Sequence, residues 1–235
     1  MLSIIVPVYN EQSRLIYLPD ICKYFKNYEI IVVNDGSTDS TLNFLKKYQK
    51  KYRFKILSYP HNRGKGFAVR QGMLNASGKY RLFMDLDLSV SPDTWQSCQK
   101  FLKDTDILIG VRRLPDSQIA VHQPIIRENM GRVFTWLSRT ILQTNISDFT
   151  CGFKIFSQEA ALQVFSRSRI DRWGFDSEIL FIAKQLGFNI HQFPIVWKDN
   201  PNTRVNLITD AIKSFTDLLL IRFYSLLGAY TRTLT

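Results

Sequence analysis

Cysteine is nearly missing from this chain of 235 residues. There are three, Cys22, Cys98 and Cys151, odd in number and without CxxC spacing. That excludes a disulfide framework and a thiolate zinc site, and it points to a reducing compartment. Histidine is as sparse, with His61, His122 and His191 isolated from one another, and no chemistry is assigned to them. No window reaches about 18 uncharged apolar residues, the length that signals a membrane-crossing helix. The nearest run, at the C-terminus, is interrupted by Lys213, Asp217 and Arg222. The opening MLSIIVPVYNE lacks the basic start and small-residue cleavage site of a signal peptide, so it reads as a first strand. Internal repeats, low-complexity tracts and flexible linkers are absent too. Acids are the minority charge: 20 Asp and Glu against 31 Lys and Arg, a net +11. An anionic partner follows from that balance, whether a phosphorylated substrate, a membrane surface or nucleic acid. Aromatic and basic residues do not interleave in the manner of an RNA-binding surface, so nucleic acid is not expected.

Hydrophobic residues make up 45% of the chain, enough to bury a substantial core. Short apolar runs at 3–8, 29–34, 54–59, 80–85 and 106–111 predict strands. Helical patterns fill the gaps at about 11–25, 40–52, 64–76 and 92–102. This alternation predicts an α/β fold with a doubly wound, mostly parallel sheet and helices on both faces. Asp39 or Ser40 can cap the second helix, and Ser91–Pro92 opens the fourth. Beyond 111 the pattern predicts a loop, a helix over 126–142, a strand at 152–156, helices at 158–166 and 175–186, and a strand at 190–197. The 126–142 helix shows Met130, Val133, Phe134, Leu137 and Ile141 at helical spacing. A last helix over 205–227 places Ile208, Ile212, Phe215, Leu219, Phe223 and Leu226 on one face. It is either an interfacial helix lying in a membrane surface or a cover for the core. The division expected is a main domain over 1–204 and an amphipathic extension over 205–235.

In an open parallel sheet ligands bind beyond the carboxyl ends of the strands. Placed by that rule, Tyr9, Asn10 and Glu11 follow strand one, Asp35 and Asp39 follow strand two, and Asp85 and Asp87 follow strand four. Acids therefore gather on one rim of a basic protein. A bound Mg²⁺ or Mn²⁺ accounts for that, since both prefer hard oxygen ligands and share them with substrate phosphates. If strand four persists through 87 the two acids point opposite ways; if the chain turns at Leu86 both reach the ion. Several neighbours carry plainer readings. Lys65 sits in half of a P-loop pattern, Trp173 and Phe175 read as core, Glu178 pairs with a base such as Lys184, and Cys151 reads as a packed residue.

The segments SIIVPVYNE, EIIVVNDGSTDST, NRGKGFAVRQGM and YRLFMDLDLSV resemble family 2 glycosyltransferases of the GT-A fold. Downstream, SDFTCGFKIF, DRWGFDSEILFIAKQLGFNI and FPIVWKDNPNTRVN resemble the dolichyl-phosphate β-glucosyltransferase branch and its prokaryotic polyprenyl-phosphate relatives. The resemblance implies an inverting, metal-dependent transferase moving a sugar from a nucleoside diphosphate sugar to a polyprenyl phosphate. UDP-glucose is the favoured donor. GDP-mannose, or a module that binds without turnover, is the alternative. It implies that Pro7, Tyr9, Glu11, Asp35 and Lys65 line the nucleotide-sugar pocket, with Asp85 near ribose and metal. Asp87, with Ser89, takes the metal. Arg112, Arg127 and Arg204 hold the acceptor phosphate, Asp148 lies beside the sugar, and Asp176 stands at the active-site helix. Eukaryotic members carry an N-terminal anchor where this sequence starts directly in a strand. A cytoplasmic enzyme peripheral to the membrane's cytoplasmic face is the expectation; oligomeric state stays open.

Overall fold

The structure is a computed structural model, and it describes residues 1–200 and 207–231, with side chains of 207–210 excepted. Strands β1 (Leu2–Val8), β2 (Glu29–Asp35), β3 (Lys55–Tyr59), β4 (Tyr80–Met84), β5 (Ile107–Val111), β7 (Phe153–Ser157) and β8 (Ile190–Pro194) form one sheet. Its order is β3-β2-β1-β4-β7-β5-β8. Only β7 runs against the others, pairing antiparallel with β4 and β5. The doubly wound, mostly parallel sheet predicted from the strand–helix alternation is therefore present.

Strand side chains alternate between faces, and two cores result. Ile5, Ile31, Val33, Phe83, Ile107 and Ile109 point into one core. There they meet α3 (Lys65–Asn75), α5 (Ile125–Leu142), α6 (Gln158–Arg167), α7 (Phe175–Gln185) and α8 (Leu207–Leu226). Leu2, Ile4, Val6, Ile30, Val32, Leu82 and Leu108 point into the other. That side holds α1 (Leu18–Tyr24), α2 (Thr41–Gln49) and α4 (Thr94–Cys98). Such near-continuous apolar strands are what burial on both faces requires.

Several expectations are revised. The helix predicted over 11–25 is a 3-10 turn at Leu15–Tyr17 followed by α1; the Glu11 carbonyl turns the chain by accepting from Arg14 and Leu15 amides, and Pro19 sets the start of α1. The helix over 92–102 divides into α4 and a 3-10 segment. The loop after β5 contains β6 (Gln118–Val121), which pairs with β9 (Val196–Lys198) as a two-stranded flap. The single strand predicted over 190–197 is thereby split into β8 and β9. Ser40 is the N-cap of α2 but makes no side-chain cap bond; Asp39 before it accepts from the Thr41 amide at 2.9 Å. On α5, Val133 is exposed, whereas Phe134, Leu137 and Ile141 pack on the core.

The last helix shows two apolar faces. Leu218 and Ile221 are fully buried, while Ile212, Phe215, Leu219, Phe223 and Leu226, the face read from the sequence, are exposed. Ile208 belongs to the side chains outside the described set.

Candidate active site

The rim at the carboxyl ends of β1, β2 and β4 is assembled by side chains that tie loop to loop. Asn10, in the left-handed region at φ 52°, uses its side-chain carbonyl to accept from the Thr38 amide at 2.7 Å and the Asp39 amide at 3.2 Å. Asp35 is buried. Its carboxylate accepts from Asn62 Nδ2 at 2.7 Å and from the amides of Arg63 and Gly64, both at 2.8 Å. It thus shapes the loop leading to α3. Gly64 has φ 114°, and a Cβ there would lie 2.4 Å from the Asp171 carbonyl, so only glycine brings α3 this close. Pro7 lies in β1 beside Val33, and Tyr9 is exposed at the rim.

β4 stops at Met84. Asp85 and Asp87 follow in a turn completed by Leu88 at φ 54°, so the strand does not persist through 87 and the chain turns. Lys65, the first residue of α3, places its ammonium 2.6 Å from Asp85 Oδ1. Burial alone would lower the Lys65 pKa, but Asp85, then Asp176 and Asp87, hold it above its usual value. Asp87 Oδ1 accepts from the Ser89 amide at 3.0 Å, so Ser89 engages Asp87 through its backbone. Asp87 Oδ2 is 3.8 Å from Arg14 Nη1. Arg14 forms a two-pronged pair with Glu11, both contacts at 2.5 Å. Arg14 is a site residue that strand-end reasoning missed, because it lies past the strand end in the loop of Glu11 and meets Asp87 across from a different loop.

β7 enters the same rim from the opposite direction and contributes a second pair. Lys154, completely buried, donates to Asp176 Oδ1 at 2.5 Å and to the Cys151 carbonyl at 2.8 Å. Asp176 is in the first turn of α7. Burial pushes its pKa up, opposed by Lys154 and Lys65. A lysine between Phe153 and Ile155 in a buried strand was the sequence signal for this pair. Glu178 does not pair with Lys184: it is buried and accepts from the Arg169 and Ile170 amides at 2.9 Å and from the Tyr230 hydroxyl at 2.8 Å. Trp173 is partly exposed, and only Phe175 is core. Burial lifts all three cysteines to about 12, so Cys151 is a packed thiol.

Beyond β5, Arg112 grips Asp148 with Nε at 2.7 Å and Nη2 at 2.8 Å. Nη2 also reaches Thr150, and the guanidinium lies 5.4 Å from the Trp197 ring centre. Burial pulls the Asp148 pKa upward, but the Arg112 charge and its hydrogen bonds hold it below the ordinary carboxylate range. Among the described residues the side-chain hydrogen bonds of Arg112 engage Nε and Nη2. Arg113, also missed from sequence, donates to the Glu128 carbonyl at 3.3 Å and lines a crevice with Arg112, Gln123 and Trp197. Arg127 stands at the foot of α5 next to Glu128. Arg204 lies outside the described residues.

Among the described residues no three Asp, Glu, His or Cys side chains form a ready metal cage. Asp85 and Asp87 nevertheless fit Mg²⁺ or Mn²⁺, which take few carboxylates and complete their shell with phosphate and water.

The family model for glycosyl transferase family 2 matches residues 3–165. A dolichyl-phosphate beta-glucosyltransferase of Dictyostelium discoideum is 33% identical over 248 residues, covering 97% of this chain and 76% of its own. Its namesake in Saccharomyces cerevisiae is 34% identical over 254 residues with the same coverage. Glucosyl-3-phosphoglycerate synthase from Mycobacterium tuberculosis, solved with UDP, superposes with TM-score 0.66 at 19% identity, over 94% of this chain and 79% of that one. A mannosyltransferase from Pyrobaculum calidifontis, solved with GDP-Man and Mn²⁺, gives 0.60 at 18% identity, over 95% and 69%. At these identities the structural likeness shows the fold, the GT-A arrangement expected from the motifs.

Proposed function

The chain belongs to glycosyl transferase family 2, on the branch of the dolichyl-phosphate beta-glucosyltransferases, and from that premise we propose that it moves glucose from UDP-glucose to a polyprenyl or dolichyl phosphate with inversion. The observation that carries this reading is the meeting of three charge pairs on one rim. The Lys65–Asp85 and Lys154–Asp176 pairs stand beside the Arg112–Asp148 pair, and Arg112 feels both Asp148 and Asp176.

The chemistry follows from the acceptor. A phosphate monoester is largely ionised at neutral pH, its second pKa being about 6. Its oxygen attacks the anomeric carbon without a general base. The new bond forms from that oxygen to the sugar carbon. The bond to the β-phosphate breaks on the opposite side, and the departing UDP keeps the electron pair. Asp85 and Asp87 would hold the divalent ion, which when bound supplies Lewis-acid stabilisation of the leaving diphosphate. Lys65 lies beside them and adds a fixed positive charge of its own. Arg112 presents its guanidinium to the acceptor phosphate while Asp148 fixes its plane, and Arg113 and Arg127 add charge at the same mouth. Asp176, held by Lys154, faces the donor sugar.

No helix among the described residues is long and apolar enough to cross a membrane. The lipid's hydrocarbon tail still requires a bilayer, and the exposed faces of α5 and α8 suit its surface. The two helices pack together. They carry exposed Ile125, Ile126, Val133 and Trp136 on one, and Phe215, Leu219, Phe223 and Leu226 on the other.

The test is transfer of labelled sugar from several nucleotide donors into an organic-extractable polyprenyl phosphate, with and without divalent metal. The expected result is label from UDP-glucose in the organic phase, with a rate loss of about a hundredfold or more in Asp87→Asn. Full rate in that variant removes the metal role, and label only from GDP-mannose removes the donor assignment.

A further inference from the structure

The segment joining α6 to α7 is pinned on every side. The Arg169 and Ile170 amides donate to buried Glu178. The Asp171 carbonyl takes the Phe67 amide at 3.1 Å, and its carboxylate pairs with Arg70. The last pin comes from α8: Asp217 Oδ2 accepts from the Gly174 amide at 3.0 Å. Gly174 is the N-cap of α7 and offers no side chain for the exposed helix end. A carboxylate from another helix satisfies one of the orphan donors there and complements the helix dipole. The approach is so close that a Cβ on Gly174 would lie 2.3 Å from Asp217 Cβ. A second tie lies one turn further along α7. Tyr230, just past the end of α8, donates its hydroxyl to Glu178 at 2.8 Å.

Residues 174 and 178 bracket Asp176. We infer that Asp217 is a positioning residue for Asp176: by holding the first amide of α7, it sets how Asp176 lies against Lys154, and so couples the seating of the outer helix α8 to the geometry around the donor sugar. The inference rests on the proposed function for the identity of the sugar site. Asp217 itself meets α7 at its N-cap, and among the described residues its side-chain hydrogen bond goes to the Gly174 amide, not to Lys154 or the Arg112 mouth. The mechanical route is short and built from named bonds: α8 to Asp217, to the Gly174 amide, to the first turn of α7, to Asp176. Misplacing a group at the reacting centre by about an ångström can cost about a hundredfold in rate.

The experiment compares Asp217→Ala and Asp217→Asn in the full chain, with polyprenyl phosphate in anionic vesicles. The amide of Asn still offers an oxygen to the Gly174 amide. In Asp217→Ala, kcat falls about tenfold or more with the acceptor KM unchanged; Asp217→Asn stays within about threefold of the parent. A merely structural role would move the urea midpoint and leave that split and rescue unseen. A folded Asp217→Ala with parental kcat overturns the inference, as does Asn failing as badly as Ala. Should the parent transfer no sugar to any lipid phosphate, the proposed function fails on its own. The positioning role is then read by amide hydrogen exchange over 174–178 and by binding of UDP-glucose against UDP. Faster exchange in Asp217→Ala with weakened UDP-glucose but unchanged UDP binding supports it, and no change in either overturns it.

Discussion

At the scale of single residues the site is a set of opposite charges that satisfy one another, and that decides what substitution does. Lys154 is fully buried and its partner Asp176 nearly so. Breaking such a pair strands a charge, which costs about 3–5 kcal/mol. Lys154→Met is therefore expected to lower stability by that order in urea unfolding. The double variant Lys154→Met/Asp176→Asn recovers part of the loss, because no charge is left unpaired; additive losses would mean the two side chains are not coupled. The exposed pair Lys23–Asp20 is the contrast, since solvent screens it. Two acids of the site were readable in the sequence because each closes an apolar run: Asp35 ends β2 and Asp85 follows β4. Which cation meets which acid was not, although the motifs mark Lys65 and Arg112 as site residues. Lys65 meets Asp85, Arg14 meets Asp87 and Arg112 meets Asp148 across 20, 73 and 36 positions, and such pairings depend on the fold rather than on local spacing.

At the scale of elements, α8 shows how periodicity locates a face without telling where it points. Its sequence is apolar over most of its circumference, so both a buried row and an outward row exist. Leu218 and Ile221 are buried, and Leu219 and Phe223 are exposed. The two rows answer differently to the same kind of change. Leu218→Ser removes a packed side chain and is expected to destabilise by about 2–5 kcal/mol. Leu219→Ser/Phe223→Ser is expected to leave the urea midpoint in place and weaken co-sedimentation with anionic vesicles by about tenfold or more. Unchanged vesicle binding in that double variant would remove α8 from the proposed lipid contact. The flap of β6 and β9 was hidden for the opposite reason. β6 has four residues and is mostly exposed, so it carries no alternation strong enough to separate a strand from a loop. Long buried elements announce themselves; short ones are set by their partners.

At the scale of the whole molecule, the two ends of the sheet respond oppositely to acid. Far from the site, Glu29 gathers Ser3, the Ser77 amide at 2.8 Å and Lys55 at 2.7 Å, joining β1, β2, β3 and the turn before β4. Burial alone would raise its pKa, but these partners bring it from 4.5 to about 2. A depressed carboxyl contributes stability that is complete above 4.5 and is lost as pH falls toward about 2. At the site end, Asp148 acts in the same sense as Glu29, since Arg112 lowers it against the pull of burial, but burial raises Asp176 and, behind it, Glu178 and Asp217. Raised carboxyls protonate in the folded protein at higher pH than in the unfolded chain, so stability does not fall as they take up protons. Acid should therefore silence the site before it unfolds the molecule. Activity and the urea midpoint, followed on one sample from pH 7 downward, are expected to separate. Rate falls first and returns on neutralisation, while the midpoint declines only below about 4.5, where the unfolded chain's Glu29 takes up a proton and the folded one still holds its charge. In Glu29→Gln the midpoint is lower at pH 7, by about 1–3 kcal/mol of stability, and flatter through the acid range, yet the activity profile keeps its shape. Rate and midpoint falling together in the parent would mean that the acids at the site are part of the same clasp as Glu29, and that the two ends of the sheet do not titrate separately.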